Sequence, residues 1–350
     1  MRAPEAVQAV GLIPELPAVS APRGAFTFCN LSLCLAALAC GASPAPENGA
    51  VRPALPSTAR DRPAEPTARP ADAVISATLA DALEALKRGR YTTAEKAFVA
   101  LQDGPDRGEA LLGLAQVQMR TGRYRQAAET AGRAVELAPQ QNEALTAQAE
   151  ALLEVGEIDR ADKLLRRAAL RQGAHRARVM LGRLLFRIGR PQQAEEILSL
   201  VIDDYNDQSL DASDAGQLTC LALAAWALGS LHDANHSFRE ASLLDPGAEE
   251  IQLFWARLFM EKNDIAHARE SVTEALRINP RSAEAHELMA RILLAESFDF
   301  RGAEKRLERA LRINPNLVAA HVTRAGMALR NRQLERAEGH LERALSGNPN

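Results

Sequence analysis

One pattern dominates the chain: a Gly-x-Tyr-x-x-Ala spacing that returns every 33 to 40 residues through nearly all of its length after residue 74. Gly89-Arg90-Tyr91 leads to Ala94, and Gly122-Arg123-Tyr124 leads to Ala127. The same slots then read Gly156/Ile158/Ala161, Gly189/Pro191/Ala194 and Gly229/Leu231/Ala234. Three looser copies follow, at Asn263/Ile265/Ala268, Phe298/Phe300/Ala303 and Arg332/Leu334/Ala337. A second anchor keeps the same register, an Ala-x-x-x-x-Pro ending at Ala134 to Pro139, Ala241 to Pro246, Ala275 to Pro280, Ala310 to Pro315 and Ala344 to Pro349. Two anchors at one period identify internal repeats. Each unit reads as a helical hairpin: an apolar-periodic segment stops near a glycine, which takes the left-handed conformation that ends a helix. A second helix then runs to a proline that cannot continue it. The last slot is Ala in all eight copies, as expected where two helices cross too closely for a larger side chain.

These residues resemble the tetratricopeptide repeat, a 34-residue helix–turn–helix unit with small residues at its eighth and twentieth positions and Pro at its thirty-second. The resemblance implies an all-α, right-handed α-solenoid of about eight repeats over 75–350, starting near Ile75, Gly108, Asn142, His175, Ala215, Glu249, Ala283 and Val318. Extra residues around Asp203 to Asp214 interrupt the register. The composition agrees, with aromatics at 4% and no strand-like runs of β-branched residues. A net charge of −3 with interspersed signs offers no electrostatic case for nucleic acid.

Residues 1–74 follow other rules. Gly24 to Ala39 is an uncharged apolar run of secretory rather than membrane-spanning length, and it follows Arg23. It leads into Ala37-Leu38-Ala39-Cys40-Gly41, which resembles a bacterial lipoprotein box; Ala37 and Ala39 equally satisfy the Ala-x-Ala rule for ordinary signal cleavage. Residues 1–40 are therefore expected to be a leader with Cys40 as the lipidation site. Residues 41–74, with seven prolines and almost no large apolar side chain, are expected to be a disordered tether. A mis-assigned start is the open alternative and would leave a cytoplasmic adaptor; a repeat domain that regulates an enzyme on another chain or on a C-terminal extension is a third reading.

Chemical motifs are sparse. No nucleophile elbow, phosphate loop or dinucleotide fingerprint occurs, so neither catalysis nor a cofactor is expected. His232 and His236 sit at i and i+4, a spacing that zinc uses, but no third ligand accompanies them. His286 and His321 hold equivalent fourth positions in adjacent repeats, where they are expected to sit in or near the core and to stack. Cys220 reads as a small buried hydrophobe.

What the resemblance implies is recognition of other proteins. In that family the first helices line a concave groove, with positions two, five, nine, twelve and thirteen facing it. The third repeat then offers Glu143, Thr146, Glu150, Leu153 and Glu154; the fourth, Arg176, Val179, Arg183, Phe186 and Arg187; the fifth, Thr219, Leu223 and Trp226. Aromatic and Arg side chains most often anchor a bound segment. The peptide-groove candidates are accordingly Arg176, Val179, Arg183, Phe186, Arg187, Leu223 and Trp226. The layout resembles that of bacterial repeat lipoproteins that assist assembly of surface complexes, which implies an exported, membrane-anchored scaffold of the cell envelope.

Overall fold

The computed structural model describes residues 78–348, all within one compact unit, Ser76–Asn350. Cys40, the leader over 1–40 and the tether over 41–74 lie outside the described residues.

Sixteen α-helices occur among the described residues, with no strand, and they pair into eight hairpins. In chain order the hairpins are α1 (Leu79–Lys87) with α2 (Tyr91–Ala100), α3 (Arg107–Arg120) with α4 (Tyr124–Leu137), α5 (Asn142–Glu154) with α6 (Ile158–Ala169), and α7 (His175–Arg187) with α8 (Pro191–Asn206). They continue as α9 (Ala215–Ala227) with α10 (Leu231–Leu244), α11 (Glu249–Glu261) with α12 (Ile265–Ile278), α13 (Ala283–Ser297) with α14 (Phe300–Ile313), and α15 (Val318–Arg330) with α16 (Leu334–Gly347). No described helix is long and apolar enough to cross a membrane.

Local chemistry sets the boundaries. Thr78 and Asp81 form a reciprocal capping box on α1, and Asp214, Asp264, Ser282 and Asp299 cap the starts of α9, α12, α13 and α14. Pro191 opens α8, where its missing N–H costs nothing. The glycine slot is left-handed throughout: Gly89, Gly122, Gly156, Gly189 and Gly229 all have positive φ. The next residue donates its N–H back across the turn, as Arg123 N does to the Gln118 carbonyl at 2.8 Å. The last three hairpins keep this geometry without glycine, at Asn263, Phe298 and Arg332.

Small residues hold each hairpin together. The eight Ala that end the repeated pattern, from Ala94 to Ala337, are each 1% exposed or less. On the first helices the facing slot reads Ala82, Ala115, Ala149, Gly182, Ala222, Ala256, Ala290 and Ala325, all buried. Their short side chains let the helix axes approach, and larger residues such as Phe98, Leu165, Leu198 and Phe238 fill the space between repeats. The extra residues after α8 are tied down rather than looped away. Leu210 is buried, and the Asp204 carboxylate accepts hydrogen bonds from His175 (3.0 Å) and Arg178.

Candidate functional site

The first helices of the hairpins share one inner wall, shown by ion pairs that skip over neighbouring repeats. Arg176 on α7 reaches Glu250 on α11 through two bonds of 3.0 and 3.1 Å, and also lies 3.5 Å from Glu150 on α5. Arg120 on α3 lies 3.6 Å from Glu249 on α11 and 3.9 Å from Glu284 on α13, whose other oxygen pairs with Arg257. Arg176 remains half open to water but sits deep within the mass of the protein, and the Glu250 and Glu150 carboxylates hold its guanidinium firmly charged. Burial alone would raise the Glu250 and Glu284 carboxyls; Arg176, Arg257 and Arg120 outweigh it and hold both below the ordinary range. Glu154 goes the other way. Burial, then Glu284 and Glu150, push its carboxyl up to about 7.

The candidate groove residues divide into three groups. Arg176, Arg183 and Arg187 are exposed on this wall. Phe186 and Trp226 are half-buried: Phe186 packs against the apolar clusters of both adjoining repeats, while Trp226 meets Phe238 edge-on at 6.5 Å and donates to Glu261 at 2.7 Å. Val179 and Leu223 are 2% and 7% exposed, and join Leu198, Val201 and Leu218 in the core between repeats. Their β-branched and γ-branched chains fill inter-repeat space, so neither gives the wall an apolar patch.

The aromatic surface beside the arginines comes instead from Phe254 on α11, which the repeat register did not single out. The Arg257 and Arg183 guanidiniums lie 5.5 and 5.9 Å from its ring centre. Among the described residues Arg183 and Arg187 have no ion-pair partner. Burial, with Arg257 and Arg187 close by, lowers the pKa of Arg183.

A second feature went unread in the sequence. Three Asn–Pro corners, each closing a second helix, reach back about 190 residues to the first three hairpins. Asn279 Nδ2 donates to Tyr91 Oη at 3.0 Å and to Glu249 at 2.7 Å, and Tyr91 Oη donates to the Arg281 carbonyl at 3.1 Å. One repeat on, Asn314 Nδ2 donates to Tyr124 Oη at 2.9 Å and Asn316 Nδ2 to the Gly122 carbonyl at 2.9 Å. One further on, Asn348 Nδ2 donates to the Leu153 carbonyl at 2.9 Å. The signal was available: Gly-Arg-Tyr survives intact only in the two hairpins whose tyrosine hydroxyls bond an asparagine. His286 and His321 do not stack on each other. Each bonds through Nε2 to the carbonyl of the corner proline six residues back, Pro280 at 3.2 Å and Pro315 at 2.8 Å.

His232 is almost fully exposed, and among the described residues no group of three or more His, Cys, Asp or Glu is placed to hold a metal ion. Cys220 is buried, and burial pushes its thiol up to about 12. A shallow, open depression of about 620 Å³ lies at the third and fourth hairpin turns, lined by Gly156, Ile158, Arg160, Arg187 and Ile188 among others.

Eight alanine-spaced helical hairpins with a shared inner wall define an α-solenoid of the kind that serves as a binding scaffold. Family models place it further. A tetratricopeptide repeat model matches residues 85–151 and 225–292, and a second matches 297–350. The model for anaphase-promoting complex, cyclosome, subunit 3 matches 121–200. The chain belongs to the tetratricopeptide repeat family. Comparison with curated proteins returns no match. Among solved structures, a chain of the APC/C hetero-tetramer Cut9–Hcn1 is similar at 18% identity and a TM-score of 0.43, over 77% of this chain and 49% of that one. This chain therefore spans about half the length of that relative. A tetratricopeptide repeat protein from Parabacteroides merdae is similar at 16% identity and a TM-score of 0.43, over 74% of this chain and 97% of that one.

Proposed function

We propose that this chain is a protein-binding scaffold of the cell envelope, and that its inner wall takes an acidic, partly apolar segment of another protein against Arg183, Arg187 and Phe254. One observation carries the reading. Arg120, Arg176 and Arg257 on this wall are each committed to a carboxylate, whereas Arg183 and Arg187 form no ion pair among the described residues, and Arg183 lies 5.9 Å from the half-buried ring of Phe254. Arg183 is crowded by the like charges of Arg257 and Arg187, and a carboxylate from a partner relieves that repulsion while adding charge-assisted hydrogen bonds. Burial of apolar residues against Phe254 supplies the remaining affinity, and the charges orient the segment.

The envelope location rests on the sequence alone: a lipid on Cys40 would hold the scaffold at a membrane, with the proline-rich residues 41–74 as the tether. Multiple acyl chains on one cysteine anchor firmly, where a single chain does not. The test has two separable arms. Converting Arg183 and Arg187 together to Glu should abolish recovery of a defined partner from detergent-solubilised membranes while leaving the far-ultraviolet helical signal unchanged. Undiminished recovery by the double variant contradicts the binding surface. A protein whose mass shows an intact Met1 leader contradicts the envelope assignment and leaves the binding arm standing.

A further inference from the structure

We infer that the three Asn–Pro corners act as a clasp, holding the solenoid closed against its own first hairpins and gating access to the inner wall. Three observations converge on it. First, the contacts repeat in register: Asn279 to Tyr91, Asn314 to Tyr124 and Asn348 to Leu153 advance one hairpin at a time on both sides, with chain separations of 188, 190 and 195 residues. Second, the first two hairpins are shaped to receive them. A Cβ on Gly89 would collide with the Asn279 side-chain oxygen, and one on Gly122 with that of Asn314. Neither asparagine is free to turn aside, because each is buried and its oxygen accepts a backbone N–H two residues on, from Arg281 and from Asn316. Third, the contact buries what is elsewhere bare. Two residues before the corner proline stands Leu137, Leu244 or Ile278; the two leucines are each 47% exposed, Leu244 even though the next residue, Asp245, pairs with Lys87 on α1 at 3.4 Å, whereas Ile278, in an Asn–Pro corner, is 3% exposed. Ile313, in the next clasped corner, packs on the cluster of Ala82 and Tyr91.

The bonding of the clasp suits a contact that opens without unfolding. The corners themselves meet the turns through neutral hydrogen bonds, each adding only a modest net free energy, and the Lys87–Asp245 and Arg120–Glu249 ion pairs that join the same halves are side-chain contacts that part without disturbing a helix. The repeats on either side are stabilised by their own neighbours. His286 and His321 brace the clasped corners from within their repeats, so a corner moves as a unit. When closed, the clasp brings the second half of the solenoid across the first. On this inference a bulky group reaches Arg183, Arg187 and Phe254 only along the interior, while a small one reaches them freely.

Glycine itself provides the control. Gly89, Gly122, Gly189 and Gly229 all have positive φ, between 69° and 85°. An alanine strains the backbone at each, yet only at the first two would its Cβ strike a corner; around Gly189 and Gly229 nothing lies within 4 Å. The experiment compares the full chain carrying Gly89→Ala and Gly122→Ala with the chain carrying Gly189→Ala and Gly229→Ala, and adds Asn279→Ala with Asn314→Ala as a second way to open the clasp. Small-angle scattering should show a larger radius of gyration in both clasp variants, with an unchanged helical signal, and no change in the Gly189/Gly229 control. The inner wall is read with Arg183→Cys in each background, labelled by a bulky polymer-linked maleimide and located by peptide mass mapping. Labelling should be about tenfold faster in the clasp variants, the change that loss of roughly one such hydrogen bond carries. A small maleimide should label all backgrounds alike. Equal radii in the clasp and control variants overturn the clasp, and equal labelling by the bulky reagent overturns the gate. Neither readout depends on a bound segment, so the scaffold reading is tested separately.

Discussion

Glycine in mid-helix usually weakens a protein, and replacing it with alanine gains about 1 kcal/mol of helix propensity. Gly182 should do the opposite. It stands in the middle of α7, and a Cβ there would fall against Leu198 Cγ and within 2.7 and 2.9 Å of the two methyl carbons. Leu198 is wholly buried among Val179, Val201 and Leu221, so it has no vacant rotamer to move into. Overpacking of this kind costs about 1–3 kcal/mol. Set against the propensity gain of about 1 kcal/mol, Gly182→Ala is expected to destabilise by on the order of 1 kcal/mol. Gly326, in the middle of α15, meets nothing within 4 Å, and Gly326→Ala is expected to stabilise by up to about 1 kcal/mol. Urea unfolding followed by circular dichroism resolves the difference in sign. A Gly182→Ala protein with a midpoint at or above wild type would refute the claim that this slot sets the approach of α7 to α8.

Other consequences follow from the same packing and charges. Ala161→Leu should destabilise by about 1–3 kcal/mol, since Ala161 is fully buried where α5 and α6 cross, whereas Ala266→Leu on the exposed side of α12 should stay within about 0.5 kcal/mol; equal melting of the two would place the crossing elsewhere. Glu154 has a folded pKa of about 7 against an ordinary 4.5, so the folded state binds the proton more tightly than the unfolded chain. Its contribution is therefore greatest below pH 4.5 and is lost as the pH rises to about 7, and Glu154→Gln should flatten the pH dependence of the melting temperature across that window. Mass spectrometry of protein taken from membranes should find acyl lipid on Cys40 with Gly41 next in the chain. A mature product starting at Cys40 without lipid would point to simple secretion.

The hairpins were legible because their determinants are local. A left-handed turn needs glycine, a crossing needs alanine, and a helix stops at proline. Phe298 and Arg332 show the limit of that reasoning, since both hold the left-handed conformation with ordinary side chains and make their copies look weak in the sequence. The inner wall was legible only in part. Helical position pointed to Arg176, Arg183 and Arg187, which are exposed, but the same positions also gave Val179 and Leu223, which pack between repeats. Phe254 and the partnerships of Arg120 and Arg176 depend on which repeats face each other across the interior. That is a property of accumulated twist, and no single repeat encodes it. The clasp lies beyond local reading for the same reason: Tyr91 and Asn279 are each ordinary in their own repeat, and their meeting is set by five intervening hairpins.

The most direct test of the scaffold reading is site-specific photo-crosslinking in membranes or lysate. A benzophenone amino acid would replace Phe254 on the inner wall and, in parallel, the outward Phe298 and Leu345, which are exposed on the last two hairpins. The account predicts a discrete adduct from position 254 whose cross-linked peptide, read by mass spectrometry, carries carboxylates beside apolar residues, and which disappears when Arg183 and Arg187 are changed to Glu. Adducts confined to positions 298 and 345, or a position-254 adduct that persists in the double Glu variant, would contradict it.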